Sequence, residues 1–143
     1  MHAVHFRSAH SLMQAVRAIM VVDIVESVRL IEMDQRGVVD RWLGFVDRVE
    51  STILPGKKGR LVKHLGDGFM LEFEGVREAA AAAFAIQQES RVVNEGVSPD
   101  KQIRLRVGIE QGEVLIGGDD IYGHGVNLAT RLSQLAGPDE IVV

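Results

Sequence analysis

The apolar positions of this chain fall into blocks of two kinds, and the spacing within each block predicts its element. RAIMVVDIV (17–25) is almost continuously apolar and rich in β-branched residues, which predicts a strand buried on both faces. A polar helical segment follows from Glu26 to Arg36, interrupted by Gly37. Beyond it Val38, Trp42, Phe45, Val46, Val49 and Ile53 recur on one helical face, with Asp40, Arg41, Asp47, Arg48 and Glu50 elsewhere. This is an amphipathic helix with Trp42 in its core stripe, and Pro55-Gly56 ends it. RLVKHLGDGFMLEF (60–73) reads as a hairpin about Gly66-Asp67-Gly68, because Asp-Gly between apolar runs is a strong turn signal. VREAAAAAFAIQQESRVV (76–93) is helical on propensity. IRLRVGIEQGEVLIG (103–117) alternates as one long strand or as a hairpin about Gln111-Gly112. GDDIYGHG (118–125) is turn-rich, VNLATRLSQLA (126–136) is a short helix closed by Gly137-Pro138, and EIVV (140–143) begins a strand.

The resulting order contains a β-α-β-β-α-β unit, whose helices cover one face of a mostly antiparallel sheet. The fold class is therefore α+β. In such a unit the first strand lies beside the central hairpin, so Asp23 at the exit of the first strand approaches Asp67 at the hairpin tip. Two carboxylates far apart in sequence then converge at one end of a sheet.

Composition narrows the chemistry. A length of 143 residues with 46 % hydrophobic and 25 % charged residues suits one globular domain. A net charge of −4 offers no basic field for nucleic acid, and there is no cysteine, so disulfides, thiolate zinc sites and thiol nucleophiles are excluded. The most apolar stretch, Ala18 to Val25, is too short to span a bilayer and contains Asp23, so no membrane contact is expected from this segment. Residues 1–16, with Arg7, His2, His5 and His10, read as a leader of unclear role without the long apolar stretch of a signal peptide. The domain is expected to run from 17 to 143, in a cytoplasmic protein.

VVDIVESVRL, LVKHLGDGFMLEF, RVGIEQGEV and GDDIYGHGVNLATRL resemble, in order and spacing, the motifs of class III nucleotidyl cyclases, the adenylate and guanylate cyclase catalytic domains. The likeness runs from about Arg17 to Val143 and implies a ferredoxin-like fold, in agreement with the order above. It implies that Asp23 and Asp67 are the two metal-binding aspartates, with the Ile24 carbonyl completing the shell around two divalent cations, Mg²⁺ or Mn²⁺. It further implies that Lys63 and Asp120 select adenine, that Asn127 orients the ribose and that Arg131 stabilises the transition state.

The implied chemistry suits these residue types. Attack of the ribose 3′-OH on the α-phosphate of ATP yields 3′,5′-cyclic AMP and pyrophosphate, and two hard cations can sit on two carboxylates while water and phosphate fill the remaining positions. A lysine donor matches adenine N1 and an aspartate acceptor matches the N6 amine, whereas guanine presents donors at N1 and N2. Asn127 and Arg131 are four residues apart and share one helical face. Lys63 lies about 13 Å up its strand from Asp67 at roughly 3.3 Å per residue. The family resolves this with a head-to-tail dimer, so a homodimer with composite sites is the expectation.

Several positions depart from the family pattern. Glu26 stands where glycine is usual, in the turn that meets the triphosphate, and a carboxylate there repels phosphate. Val28 replaces a common threonine, Glu113 stands where some members place a phosphate-binding arginine, and the family's last C-terminal strands and a triphosphate lysine are not expected in this stretch. These departures keep open a catalytically silent cyclase-homology domain that binds nucleotide or dimerises. A diguanylate cyclase is disfavoured because its motif belongs at the hairpin tip, where this chain has LGDGF, although GGDD (117–120) is similar to it. His64 and His124 match no family ligand and are expected to be structural or solvent-facing.

Overall fold

Strand β1 (Met13–Ile24) is the spine of the computed structural model, which describes residues 12–143. It pairs antiparallel with β3 (Gly68–Phe73) on one side and with β4 (Leu105–Gly117) on the other. β2 (Gly59–Leu65) joins β3 in the expected hairpin, β5 (Asp120–Tyr122) joins β4, and β6 (Ile141–Val142) runs parallel to β4. The strand order β2-β3-β1-β4-β5, with helices between β1 and β2 and between β3 and β4, is the α+β, ferredoxin-like arrangement. Arg7, His2, His5 and His10 lie outside the described residues.

β1 begins at Met13 rather than at Arg17, because Met13–Val16 pair with Glu113–Ile116 in the far half of β4. That pairing also decides the alternative at Gln111-Gly112. β4 is one unbroken strand, and Gln111 Oε1 accepts the Val76 amide at 2.9 Å, at the start of the helix that precedes β4. The turn-rich GDDIYGHG stretch contains the short strand β5, which antiparallel pairing to β4 extracts from a polar sequence.

Helix α1 (Ser27–Arg48) joins the two predicted helical segments, and its break is at Asp34 rather than Gly37. Asp34 has extended backbone, φ −158° and ψ 69°, and its Oδ1 accepts the Gly37 amide at 3.2 Å, so it caps the second half. A π-helical turn (Val49–Ile53) and a 3₁₀ turn (Pro55–Lys57) end this segment. α2 (Val76–Val93) matches its predicted span, and α3 (His124–Leu135) starts two residues earlier than its pattern indicated.

The sheet separates two cores. On one face Ala18, Met20, Val22, Phe69, Leu71 and Phe73 meet α1 and α2, and Trp42 stacks on Phe45 and Phe69 at 5.5 and 5.6 Å. Each fully buried side chain of this size contributes about 1.5–3 kcal/mol. On the other face Ile19, Val21, Val62, Met70, Val114 and Ile121 meet α3 through Ala129 and Val126. Gly108 permits that approach: a Cβ there would lie 2.6 Å from the Ala129 carbonyl oxygen. The alternation of β1 thus assigns Arg17 and Asp23 to the α3 face, with Ile19 and Val21.

Candidate functional site

The antiparallel register sets Asp23 opposite Gly68, one residue from the hairpin tip, and the Ile24 amide donates to the Asp67 carbonyl at 2.9 Å. Gly68 is required there, because a Cβ would strike the Val22 carbonyl oxygen. The tip therefore lies against the end of β1, and Asp23, Ile24 and Asp67 come together as expected. Asp67 is exposed and accepts the Ser27 hydroxyl at 3.1 Å, whereas the Asp23 side chain is 17 % exposed.

Burial pushes the Asp23 carboxyl above the usual carboxylate value, and the Asp67 charge pushes it the same way. Arg106, directly across on β4, opposes both with a 2.5 Å bond from Nη2 to Asp23 Oδ2. Two hard carboxylates whose charges act on each other fit a divalent cation, which would relieve that repulsion. Among the described residues there is no cluster of three or more potential ligand side chains, so two aspartates and a backbone carbonyl are the whole local donor set the sequence proposed. Water and phosphate oxygens would have to supply the rest.

Lys63 and Asp120 form the second group. They stand on β2 and β5, the opposite edges of the main sheet, yet Lys63 Nζ is 3.2 Å from Asp120 Oδ1. The sheet curls until its edges face each other. A bulge between Leu61 and Lys63 turns Lys63 onto the same face as Val62, where Asp120 can reach it. The Ile121 amide, 2.7 Å away, holds the Asp120 carboxyl below the usual carboxylate range, with Lys63 and Arg60 assisting against partial burial.

Asn127 and Arg131 share an exposed face of α3, and among the described residues neither side chain has a hydrogen bond or ion pair. The fold does not bond them to either carboxylate group. His64 and His124 are exposed, as expected. An apolar cavity of about 460 Å³ lies behind Asp67, against Ile31, Val38 and Trp42. Glu32 and Asp67 stand at its rim.

The Adenylate and Guanylate cyclase catalytic domain family matches residues 11–143. The chain belongs to this family. It is 31 % identical over 133 residues to a putative adenylate cyclase 3 of Rhizobium meliloti, covering 93 % of this chain and 23 % of that protein. It is 28 % identical over 121 residues to an adenylate cyclase of Streptomyces coelicolor, covering 85 % of this chain and 30 % of the relative. The chain thus spans about a quarter of the length of these curated relatives. Among solved structures, an adenylate/guanylate cyclase/hydrolase from Silicibacter pomeroyi matches with a TM-score of 0.78 at 28 % identity, over 92 % of this chain and 77 % of that one. The adenylyl cyclase CyaB from P. aeruginosa shares the fold, with a TM-score of 0.74 at 21 % identity over 92 % of this chain and 78 % of that one.

Within this cyclase fold, Glu26 has the left-handed backbone expected of a glycine, φ 53° and ψ 46°. Its carboxylate pairs with Arg29 at 3.0 Å, and Arg29 also donates to the Asp100 carbonyl at 3.0 Å. Sequence reasoning missed Ser27 and Arg106. Arg106 is legible only through register: nothing in LRVGI marks it as facing Asp23. Its Nε is buried without a hydrogen-bond partner among the described residues. Glu72 is marked in the sequence itself, as the one charged residue of the apolar run FMLEF.

Proposed function

We propose that this chain is an adenylate cyclase domain that converts ATP to 3′,5′-cyclic AMP and pyrophosphate. The observation that carries the reading is the Lys63–Asp120 pair, 3.2 Å apart on the face of the sheet that also bears Asp23. An ammonium donor beside a carboxylate acceptor complements adenine N1 and N6 and opposes the donor at guanine N1. Two divalent cations, Mg²⁺ or Mn²⁺, supply charge neutralisation at the reacting oxygens when bound by Asp23, Asp67 and the Ile24 carbonyl. Asp67 offers an exposed carboxylate for this role, and Asp23 offers a part-buried one held by Arg106. Arg106 holds Asp23 in place through Nη2, and its buried Nε has no hydrogen-bond partner among the described residues.

Asn127 and Arg131 then act on the ribose and on the charge that builds on the phosphate, from a second copy of the chain. Their exposure and lack of partners within the described residues support a homodimer whose two sites each draw on both protomers. A cytoplasmic setting, where ATP is available, accompanies this reading.

Cyclic nucleotide formation from ATP and from GTP, in Mg²⁺ and in Mn²⁺, tests it beside Asp67→Ala. Cyclic AMP that vanishes in the variant is the expected result. A second reading, a silent cyclase-homology domain that binds nucleotide or dimerises, draws on Glu26, whose carboxylate lies at the N-terminus of α1 where a triphosphate would dock. Absence of product under all four conditions would favour it.

A further inference from the structure

β3 carries a carboxylate where its neighbours are apolar. Every residue of Gly68–Phe73 is buried, and the Glu72 side chain is 7 % exposed. An acid in such a place persists only where opposite charge meets it. Two guanidinium groups do so. Arg60 Nε donates to Glu72 Oε1 at 2.8 Å, and Arg17 Nε is 3.1 Å from Oε2 as an ion pair off the hydrogen-bond line.

The bulge in β2 gives this cluster its relevance. In a regular strand, residues three apart point to opposite faces. The register shift sets Arg60 opposite Glu72 and Lys63 opposite Met70, which are two apart on β3. Arg60 and Lys63 therefore share one face, and it is the face that Asp120 approaches from the other sheet edge. Lys63 bonds Asp120 directly, and the Arg60 charge also acts on it.

We propose that Arg60 is a specificity-determining positioning residue of the base pocket, fixed by Glu72, which Arg17 fixes in turn. The inference rests on Lys63 and Asp120 being the adenine-reading pair. Adenine needs an ammonium at N1 beside a carboxylate acceptor at N6, in that relative placement. A second cation on the same face, immobilised by Glu72, adds to the field that draws the Asp120 carboxylate toward the β2 edge, beside the bonds it accepts from the Ile121 amide and from Lys63. Without Arg60 that field is weaker, and the Asp120 carboxylate turns more readily toward the donors at guanine N1 and N2, so discrimination falls more than catalysis does.

Steady-state kinetics with ATP and GTP, beside equilibrium nucleotide binding by calorimetry, test this on the whole chain and on Arg60→Gln, Arg60→Lys and Glu72→Gln. Arg60→Gln is expected to lower the ATP-over-GTP ratio of kcat/KM by about tenfold, chiefly through KM for ATP. Arg60→Lys should recover part of the ratio, and Glu72→Gln should lose it although Arg60 is intact. Arg60 is 43 % exposed, so its variants remain decisive if Glu72→Gln does not fold. A ratio unchanged in Arg60→Gln overturns the inference while leaving an ATP-selective parent intact. An equal loss in kcat for both nucleotides, tracking a lower melting temperature, overturns it as well. A parent chain that neither binds nor converts ATP overturns the adenine reading itself, and this inference with it.

Discussion

Lys63 and Asp120 stand at opposite edges of one sheet, and their charged groups are 3.2 Å apart. Both side chains are more than a third exposed, so the pair adds little to stability; such surface pairs are worth about 0–1 kcal/mol. It sets a donor and an acceptor side by side at the mouth of a curled sheet, the arrangement on which the proposed adenine reading rests.

Reversal of the charge at Lys63 should therefore change substrate choice rather than folding. Lys63→Glu sets two carboxylates together and removes the only side-chain donor of the pair. ATP turnover is expected to fall by at least about a hundredfold, since a site built for a specific hydrogen bond discriminates strongly. The melting temperature should barely move. Parallel assays with ATP and GTP check both.

Asp23 carries a cost that a ligand would relieve. Its carboxyl is pushed above 3.8 by burial and by Asp67, so over a window of pH above that value the folded chain binds the proton more tightly than the unfolded chain does. The associated stability is present at low pH and is lost as pH rises through the folded value. Asp23→Asn, fixed neutral, should be more stable than the parent at pH 7, and the gap should close toward pH 4. Mn²⁺ should raise the melting temperature of the parent but not of the variant. Thermal denaturation across pH, with and without Mn²⁺, reads out both effects.

Composite sites make a quantitative statement about mixtures. Asp67→Ala and Arg131→Ala should each be inactive alone. Mixed in equal amounts, random pairing leaves one intact site in half of the dimers, which gives about a quarter of the parent activity. Persistent inactivity after mixing, with dimers verified by light scattering, would count against sites shared between protomers.

Glu26 holds a left-handed backbone at the mouth of α1. Such a conformation costs a non-glycine residue roughly 1 kcal/mol, and the carboxylate repels phosphate besides. Glu26→Gly should stabilise the chain by up to about 1 kcal/mol and lower KM for ATP. Chemical denaturation and steady-state kinetics check the two halves separately.

The physical origin of each feature shows how far sequence alone reaches. Apolar periodicity determined the α+β order and α2, because 3.6- and 2-residue repeats are local properties of the chain. The Gly66-Asp67-Gly68 turn was legible for the same reason, since Asp-Gly between strands carries its own geometry. The resemblance of four ordered motifs indicated Asp23, Ile24, Lys63, Asp67, Asp120, Asn127 and Arg131 as candidates without saying which would meet. The site's charge environment was decided elsewhere. Register, a product of pairing along β1, brought Arg106 onto Asp23, and a bulge in β2 brought Arg60 and Lys63 onto one face. Asp34 rather than Gly37 broke α1, because a side-chain cap to the Gly37 amide competes with the helix only once the chain has turned. The curl that joins Lys63 to Asp120 belongs to the sheet as a whole. Twist accumulates over neighbouring strands, and no single strand encodes where the two edges come together.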